Sequence, residues 1–372
     1  MLEQRSIRLF ENAIKSEITR KGYRYQLDKF LEWSKIKDFD SLLEAPEKNI
    51  QELLEDYIMY LKKKVSPNTV PVYFAPIELF FTMNDVDTNY KKLRKLFPAT
   101  EKSASGRAYT RQEIQKILRN AKTKRGRALV FLLASSGLRK GAIPGIKLKH
   151  MKKIDENSYS ILIYEGSKQE DYVFTTPEAT IPIDEYLDER RKDGEYMDGE
   201  TPLFRNDYSL GIEKVKPCAT DSISKLTGRL VSCIERKKIT KRRYDVQQEY
   251  GFRKFFSTII KNTMGITPTM TEKLINHIGV VQLDGNYFKP TVEQMFEAYK
   301  KAIPELTIED SERYKVQNQK LQEQLSEKEK LENTVEELKL KFDRHEIKRN
   351  EQLSKQEKRI KELEDQIKSD RV

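Results

Sequence analysis

Five dispersed residues are of the types that can break a phosphodiester bond without a metal ion. In chain order they are Arg139, Lys168, Arg253, His277 and Tyr287. Two arginines can bind the non-bridging oxygens of one phosphate, because each guanidinium group is planar and can donate two hydrogen bonds at once. A tyrosine hydroxyl can attack the phosphorus and form a covalent phosphoester. The chain therefore contains the groups needed for nucleophilic cleavage of a phosphodiester.

Each of these residues also has an ordinary structural explanation when it is considered alone. Arg139 can form a salt bridge at a helix terminus, and Arg253 can be a basic residue on an amphipathic helix. Lysine is common in hairpin turns, a lone histidine is more often structural than catalytic, and Tyr287 is one of 18 tyrosines. The functional interpretation therefore depends on the order and local sequence of the whole set.

The local sequences resemble the motifs of the tyrosine recombinase (integrase) superfamily, most closely those of its archaeal members. The family's Thr/Ser-Gly-Leu-Arg motif is matched by Ser136-Gly137-Leu138-Arg139, and its His-x-x-Arg motif by Tyr250-Gly251-Phe252-Arg253. The Leu-Gly-His motif is matched by Leu274-Ile275-Asn276-His277, and Tyr287 follows ten residues after the histidine. The resemblance is strong from about residue 105 to 300, weaker from 8 to 95, and absent after about 305.

This resemblance implies a role for each residue and a reaction for the protein. Arg139 and Arg253 would bind the scissile phosphate, and His277 would donate a hydrogen bond to it. Lys168 would protonate the leaving 5′ oxygen, and Tyr287 would be the nucleophile. The reaction would leave a 3′-phosphotyrosyl bond, which a 5′ hydroxyl from a partner strand then reverses. Such a site-specific recombinase needs no metal, ATP or other cofactor.

The sequence departs from the family motifs at three positions. Tyr250 replaces the histidine of His-x-x-Arg, and a tyrosine is a poor base at pH 7 because its ordinary pKa is near 10. Ala142 stands where the family commonly has a glutamate that supports the site, and Asn276 replaces the usual glycine. Tyr250 remains a candidate site residue. These departures leave a second interpretation open, namely a catalytically silent DNA-binding protein of the same fold.

The elements that must position these residues are mainly helical. Apolar residues at helical spacing predict a helical bundle over residues 1–99, similar to the family's DNA-gripping core-binding domain. A small, polar segment over residues 100–108 predicts a linker, and residues 109–305 are predicted to form the catalytic domain. In that domain, alternating apolar residues on both sides of Lys168 predict a β-hairpin with the lysine near its tip. The predicted fold class is thus mainly α with a small β-sheet.

A basic run immediately precedes the second arginine motif and is a candidate DNA-binding segment. Its members are Arg236, Lys237, Lys238, Lys241, Arg242 and Arg243. The formal net charge of +11 and the pI of about 9.2 favour an anionic partner, and we expect double-stranded DNA. The alternative is that this run is a solvated loop.

The chain after the catalytic domain predicts assembly of several copies. Residues 311–372 are predicted to form a long, polar helix. Leu331, Val335, Leu338 and Phe342 follow a heptad repeat. Later apolar residues follow a second heptad repeat that is out of phase with the first. We expect a coiled coil with a change of register, the alternative being a solvated single helix. By the resemblance, residues 291–303 would dock on a neighbouring protomer, and strand exchange would require a homo-oligomer, expected to be a tetramer.

Several other classes of protein are disfavoured by the sequence. No apolar run is long enough to cross a membrane, and the histidines His150, His277 and His345 have no metal-ligand spacing. Cys218 and Cys233 are expected to be reduced. We therefore expect a cytoplasmic, nucleoid-associated protein with no membrane or metal partner.

Overall fold

The computed structural model describes residues 5–101, 106–207, 215–240, 243–277 and 288–369. The chain divides into two compact units, residues 1–104 and 105–372. Three predicted site residues, Lys241, Arg242 and Tyr287, lie outside the described residues.

The first unit is helical in every element that the structure describes. Its α-helices are α1 (Arg5–Asn12), α2 (Glu17–Ser34), α3 (Phe39–Leu43), α4 (Glu47–Lys64), α5 (Val70–Met83) and α6 (Tyr90–Leu96). The apolar residues of α4 recur every three or four positions, so one face of that helix is buried. Phe30 of α2 packs against Tyr57 of α4 and Phe81 of α5, with ring centroids 4.8 and 6.3 Å away. The predicted helical bundle is confirmed.

The second unit combines helices with two small antiparallel sheets. Its α-helices are α7 (Arg111–Asn120), α8 (Lys124–Ser136), α9 (Pro177–Lys192), α10 (Thr220–Leu230), α11 (Gln248–Asn262), α12 (Pro268–Leu274), α13 (Val292–Lys300), α14 (Ile303–Leu306) and α15 (Asp310–Ser369). One sheet has the order β1 (Met151–Lys153), β2 (Tyr159–Ile163), β3 (Asp171–Phe174). The other pairs β4 (Lys238–Thr240) with β5 (Arg243–Tyr244). The predicted fold class, mainly α with a small sheet, is confirmed.

Helix α8 is the central helix of this unit and leads directly to the first arginine. All residues of its last two turns are buried, and it ends at Gly137, whose φ of +58° lies in the left-handed region. A side chain at this position would also meet Phe256, because a Cβ atom built there lies 2.2 Å from the phenylalanine ring. Both the backbone conformation and the close approach of Phe256 therefore require glycine here. The chain turns sharply at this residue, which places Leu138 in the core and Arg139 at the surface.

Helix α13 packs within its own unit. Met295, Phe296 and Tyr299 are almost fully buried, and the ring of Phe174 in β3 lies 5.4 Å from the rings of both aromatic residues. The sequence, by its resemblance to the family, predicts that the apolar face of this segment docks on a neighbouring protomer. The structure instead uses this face for the core of the same unit.

The long helix α15 is uninterrupted over 60 residues, so the change of register does not break it. The preceding turn is anchored to the body of the unit. The Glu178 carboxylate accepts hydrogen bonds from the backbone N–H groups of Ile308 and Glu309 at 2.8 and 2.6 Å. Arg111 donates to the carbonyl oxygen of Thr307 at 3.0 Å. Among the described residues, no helix is long and apolar enough to span a membrane.

Candidate active site

Arg253 lies on the first turns of α11 and is buried, with 8% of its surface exposed. Its Nη1 donates to the carbonyl oxygen of Gly137 at 2.7 Å, and its Nη2 donates to that of Ile275 at 2.5 Å. Burial lowers the pKa of this arginine, and the nearby positive charge of Arg139 lowers it further. The side chain therefore ties the end of α8 to the turn that follows α12.

Arg139 approaches the same turn from the surface. It directly precedes the 3₁₀ helix Lys140–Gly145 and is exposed. Its Nη1 donates to the backbone oxygen of Asn276 at 2.8 Å and to the side-chain oxygen of the same residue at 3.0 Å. The two arginines thus donate to consecutive carbonyl groups, those of Ile275 and Asn276.

This arrangement leaves part of each guanidinium group without a hydrogen-bond partner among the described residues. An arginine has five N–H donors in a fixed plane. Among the described residues, Nε of Arg139 and its Nη2 have no hydrogen-bond partner, and Nε of Arg253 has none either. Two cations held side by side, one buried and one exposed, form a strong site for a doubly coordinated anion such as a phosphate.

His277 follows the two carbonyl groups that the arginines bind. Its backbone N–H donates to Glu272 at 3.0 Å, and its Nδ1 lies 2.7 Å from a carboxylate oxygen of the same residue. Burial raises the pKa of Glu272, but the hydrogen bonds from His277 and Lys261 outweigh it, so the pKa is lowered. Nδ1 faces the Glu272 carboxylate, so Nε2 on the other side of the exposed ring is directed away from Glu272.

Lys168 lies in the turn between β2 and β3, as predicted. It is exposed, and no acidic side chain among the described residues forms an ion pair with it. The turn is fixed at its start by Glu165, whose carboxylate lies 3.1 Å from Nε2 of His150 and 3.3 Å from Nζ of Lys149. Lys168 lines the same open cleft, about 1670 Å³ in volume, as Arg139 and His277.

Asn276 and Asp171 belong to this site although the sequence patterns did not single them out as site residues. The Asn276 amide nitrogen donates to Asp171 at 3.1 Å, and the other oxygen of that carboxylate lies 3.0 Å from Nζ of Lys273. Asp171 is 8% exposed and begins β3, only three residues after Lys168. The only local signal was the departure of Asn276 from the glycine of the resembling motif.

Tyr250 lies at the exposed N-terminal turn of α11, three residues before Arg253. Its side chain is 53% exposed, and Nζ of Lys254 lies 5.7 Å from the centre of its ring. No described side chain forms a hydrogen bond with its hydroxyl. Tyr250 therefore lies within one helical turn of the buried arginine, but it is not part of the hydrogen-bonded cluster.

Tyr299, the next tyrosine after Tyr287 in the sequence and therefore the alternative candidate for the nucleophile, lies in the core. It has no exposed surface, and its hydroxyl donates to the carbonyl oxygen of Ser135 at 2.9 Å. Burial raises the pKa of this phenol well above its ordinary value. A phosphate cannot reach this hydroxyl without unfolding the core.

The described part of the basic run forms the β4–β5 ribbon instead of an irregular loop. Lys237 and Lys238 are exposed, whereas Arg236 is half-buried and lies 4.7 Å from the centre of the Tyr244 ring. Asp245 holds the base of the ribbon, since it accepts from the backbone of Lys237 at 2.8 Å and from Nε of Arg107 at 3.0 Å. The ribbon therefore presents lysines to solvent from a fixed base.

The solved structures that resemble this chain over most of its length include two of one integrase. The integrase of the Tn1549 transposon, in complex with a circular intermediate DNA, superposes with a TM-score of 0.53 at 14% identity. The same integrase in complex with transposon right end DNA gives a TM-score of 0.51 at 16% identity. Each alignment covers 78% of this chain and 97% of the integrase chain. The chain has the fold of the tyrosine recombinases.

Sequence comparison alone does not reach this conclusion, because no protein-family model and no curated protein matches the chain. On the recombinase fold, Ala142 is a buried methyl group in the 3₁₀ helix that follows Arg139. Among the described residues, Arg139 forms hydrogen bonds with Asn276 and no ion pair with an acid. No group of three or more His, Cys, Asp or Glu residues in the described ranges converges as metal ligands would.

Proposed function

We propose that this protein is a site-specific DNA recombinase that cleaves and rejoins DNA through a 3′-phosphotyrosyl intermediate. The observation that carries the proposal is the convergence of Arg139, Arg253 and His277 on one turn. Residues from three separate motifs meet there, and both arginines have N–H donors without a partner among the described residues. Such a cluster is arranged to stabilise the negative charge that develops on a phosphate under attack.

The proposed reaction assigns one step to each group. The phenolic oxygen of Tyr287 attacks the phosphorus, and the bond to the 5′ oxygen breaks. Lys168 donates a proton to that leaving oxygen, which becomes a free hydroxyl. A 5′ hydroxyl from a second strand then attacks the phosphotyrosyl bond and releases Tyr287. Because each phosphoester bond is exchanged for another, no external energy source is required.

A nicked suicide substrate tests this proposal, since its cleaved end diffuses away and the covalent adduct accumulates. We expect an adduct in the presence of EDTA, attached to Tyr287 by mass spectrometry. Tyr287→Phe should abolish the adduct and leave DNA affinity within a few-fold. An adduct of undiminished yield in that variant would refute the assignment of the nucleophile.

The same assay decides the second candidate, a catalytically silent DNA-binding protein. The observation that favours it is Tyr250, which stands apart from the hydrogen-bonded cluster at the position of the family's histidine. A protein that binds its DNA site but never forms an adduct would support this alternative. Restoring the motif with Tyr250→His then tests whether that residue alone limits cleavage.

Double-stranded DNA is the proposed partner, and two observations support it. The structurally similar integrase is solved in complex with DNA. In this chain, the β4–β5 ribbon presents the exposed lysines Lys237 and Lys238 next to the helix that carries Arg253. Exposed lysines contact phosphates without reading sequence, so the ribbon would position the duplex and not select its site.

A second copy of this chain is the proposed partner of α15. Leu331, Val335, Leu338 and Phe342 are between 45% and 68% exposed, and they lie on one side of a continuous helix. Because α15 is anchored to the body of the unit by Glu178 and Arg111, pairing of two such helices would join two catalytic units. This supports a homo-oligomer on paired DNA sites.

A further inference from the structure

We propose that Asn276 is a positioning residue that orients the guanidinium group of Arg139 through its side-chain amide. The inference rests on the proposed function for its effect on cleavage, but its structural part is independent of activity. It concerns a residue that would not itself touch the reacting atoms.

The backbone at position 276 does not require an asparagine. Its φ is +49°, in the left-handed region, and the residue follows the end of α12. The backbone N–H of Asn276 donates to the carbonyl oxygen of Lys273 at 2.9 Å, and the backbone N–H of His277 donates to that of Glu272 at 3.0 Å. These two bonds define a helix-terminating turn at which glycine is the preferred residue and asparagine the usual substitute. The backbone therefore accepts glycine or asparagine, and the contacts of the asparagine side chain are a separate feature of this turn.

Those contacts use both ends of the amide. The oxygen accepts from Nη1 of Arg139 at 3.0 Å, and the nitrogen donates to Asp171 at 3.1 Å. Arginine can only donate and an ionised carboxylate can only accept, so one orientation of the amide satisfies both neighbours. At neutral pH an amide offers both an acceptor and a donor on the same carbon, whereas an ionised carboxylate of the same length offers acceptors alone.

Asp171 provides a fixed support for this amide. It is buried, it lies 3.0 Å from Nζ of Lys273, and its carboxylate also accepts from the backbone N–H of Tyr172 at 2.9 Å. Since Asp171 begins β3 just after the turn that carries Lys168, the amide links that hairpin to Arg139. Asn276 also directly precedes His277, so its side chain connects three parts of the site: the hairpin of Lys168, Arg139 and the turn of His277.

A neutral amide has an electrostatic advantage over an acid in this role. A carboxylate beside Arg139 would neutralise part of the charge that the phosphate is meant to meet. No carboxylate among the described residues forms an ion pair with Arg139, and position 142 carries only a methyl group. Asn276 therefore fixes the direction of the guanidinium group without lowering its positive charge.

The first test is Asn276→Gly, which removes the amide but suits the left-handed backbone. Protein labelled with ¹⁵N-arginine is examined by NMR, and the Arg139 guanidinium signal is assigned with Arg139→Lys. We expect hindered rotation of this group in the wild-type protein and faster rotation in Asn276→Gly, with an unchanged melting temperature. Equal rotation in both proteins would overturn the proposal, whether or not the protein cleaves DNA.

The second test exchanges the two ends of the amide–carboxylate contact. Asn276→Asp places two carboxylates in contact and should lower single-turnover cleavage by about 10- to 100-fold, with DNA affinity nearly unchanged. Adding Asp171→Asn restores a donor and an acceptor and should recover the part of the loss that comes from the contact between two carboxylates, while the carboxylate beside Arg139 keeps the rate below that of the wild type. A double variant as slow as Asn276→Asp alone, or a loss of affinity equal to the loss of rate, would overturn the positioning role.

Discussion

Replacing the two arginines separately should have different effects on stability, although both should abolish efficient cleavage. Arg253 is buried and donates to the carbonyl oxygens of Gly137 and Ile275. Each hydrogen bond from a charged donor contributes about 1.5–3 kcal/mol, and part of this is offset because the variant no longer buries a charge. Arg253→Ala should therefore destabilise the second unit by about 2–4 kcal/mol.

Arg139→Ala should change the free energy of unfolding by less than about 1 kcal/mol, because this side chain is exposed and its contacts are not buried. In calorimetry of the full-length protein, about 1 kcal/mol shifts the melting temperature of a unit of this size by about 2–4 °C. We thus expect a loss of about 5–15 °C for Arg253→Ala and of at most about 4 °C for Arg139→Ala.

Single-turnover cleavage of a nicked substrate supplies the second measurement. Each alanine variant should lose about 10²–10³ in rate, since each removes donors from the same phosphate. Arg191→Ala is the matched control, because that arginine is exposed on α9 and, among the described residues, forms an ion pair only with Asp188, at 2.6 Å. A wild-type melting temperature for Arg253→Ala would refute its structural role, and equal losses of affinity and rate in either variant would mark an ordinary DNA contact.

Three further outcomes are expected. Burial raises the pKa of Glu178 to about 7 from its ordinary 4.5. The contribution of this group to the free energy of unfolding, about 3 kcal/mol, is therefore greatest below pH 4.5 and is lost as the pH rises through 7. The melting temperatures at pH 5 and pH 8 should differ less in Glu178→Gln than in the wild type, and an equal difference would contradict this. Neutralising Lys237 and Lys238 should flatten the dependence of the logarithm of the DNA-binding constant on the logarithm of the salt concentration by about 0.9 per lost phosphate contact. The same change at Lys339 and Lys341 of α15 should leave this slope unchanged. Equal slopes in both variants would show that the ribbon lysines do not contact DNA. Deleting residues 311–372 should reduce self-association in analytical ultracentrifugation but spare cleavage of a single site, and identical masses at micromolar concentration would leave α15 without a role in assembly.

The sequence by itself determined the local parts of this protein. The period of apolar residues predicts the helices of both units, because a helix buries every third or fourth residue whatever its partners are. The motif ending in Arg139 indicates a glycine turn, and the structure places Gly137 at a left-handed position. The hairpin around Lys168 also follows from a local alternation of apolar residues. The order of the site residues was enough to indicate the recombinase family.

Only the tertiary structure decided how these parts meet. Arg253 bonds to a carbonyl group 116 residues away, and Arg139 bonds to Asn276 across 137 residues. Neither contact leaves a periodic signal, because each depends on the packing of α8, α11 and α12 and not on neighbouring sequence. For the same reason, the sequence shows Asn276 only as a departure from a motif. In the folded protein its side chain contacts Arg139, which the methyl group of Ala142 cannot do by hydrogen bonding. Local propensity fixes which residues are presented at a turn, but only packing fixes which distant groups a charged side chain finds there.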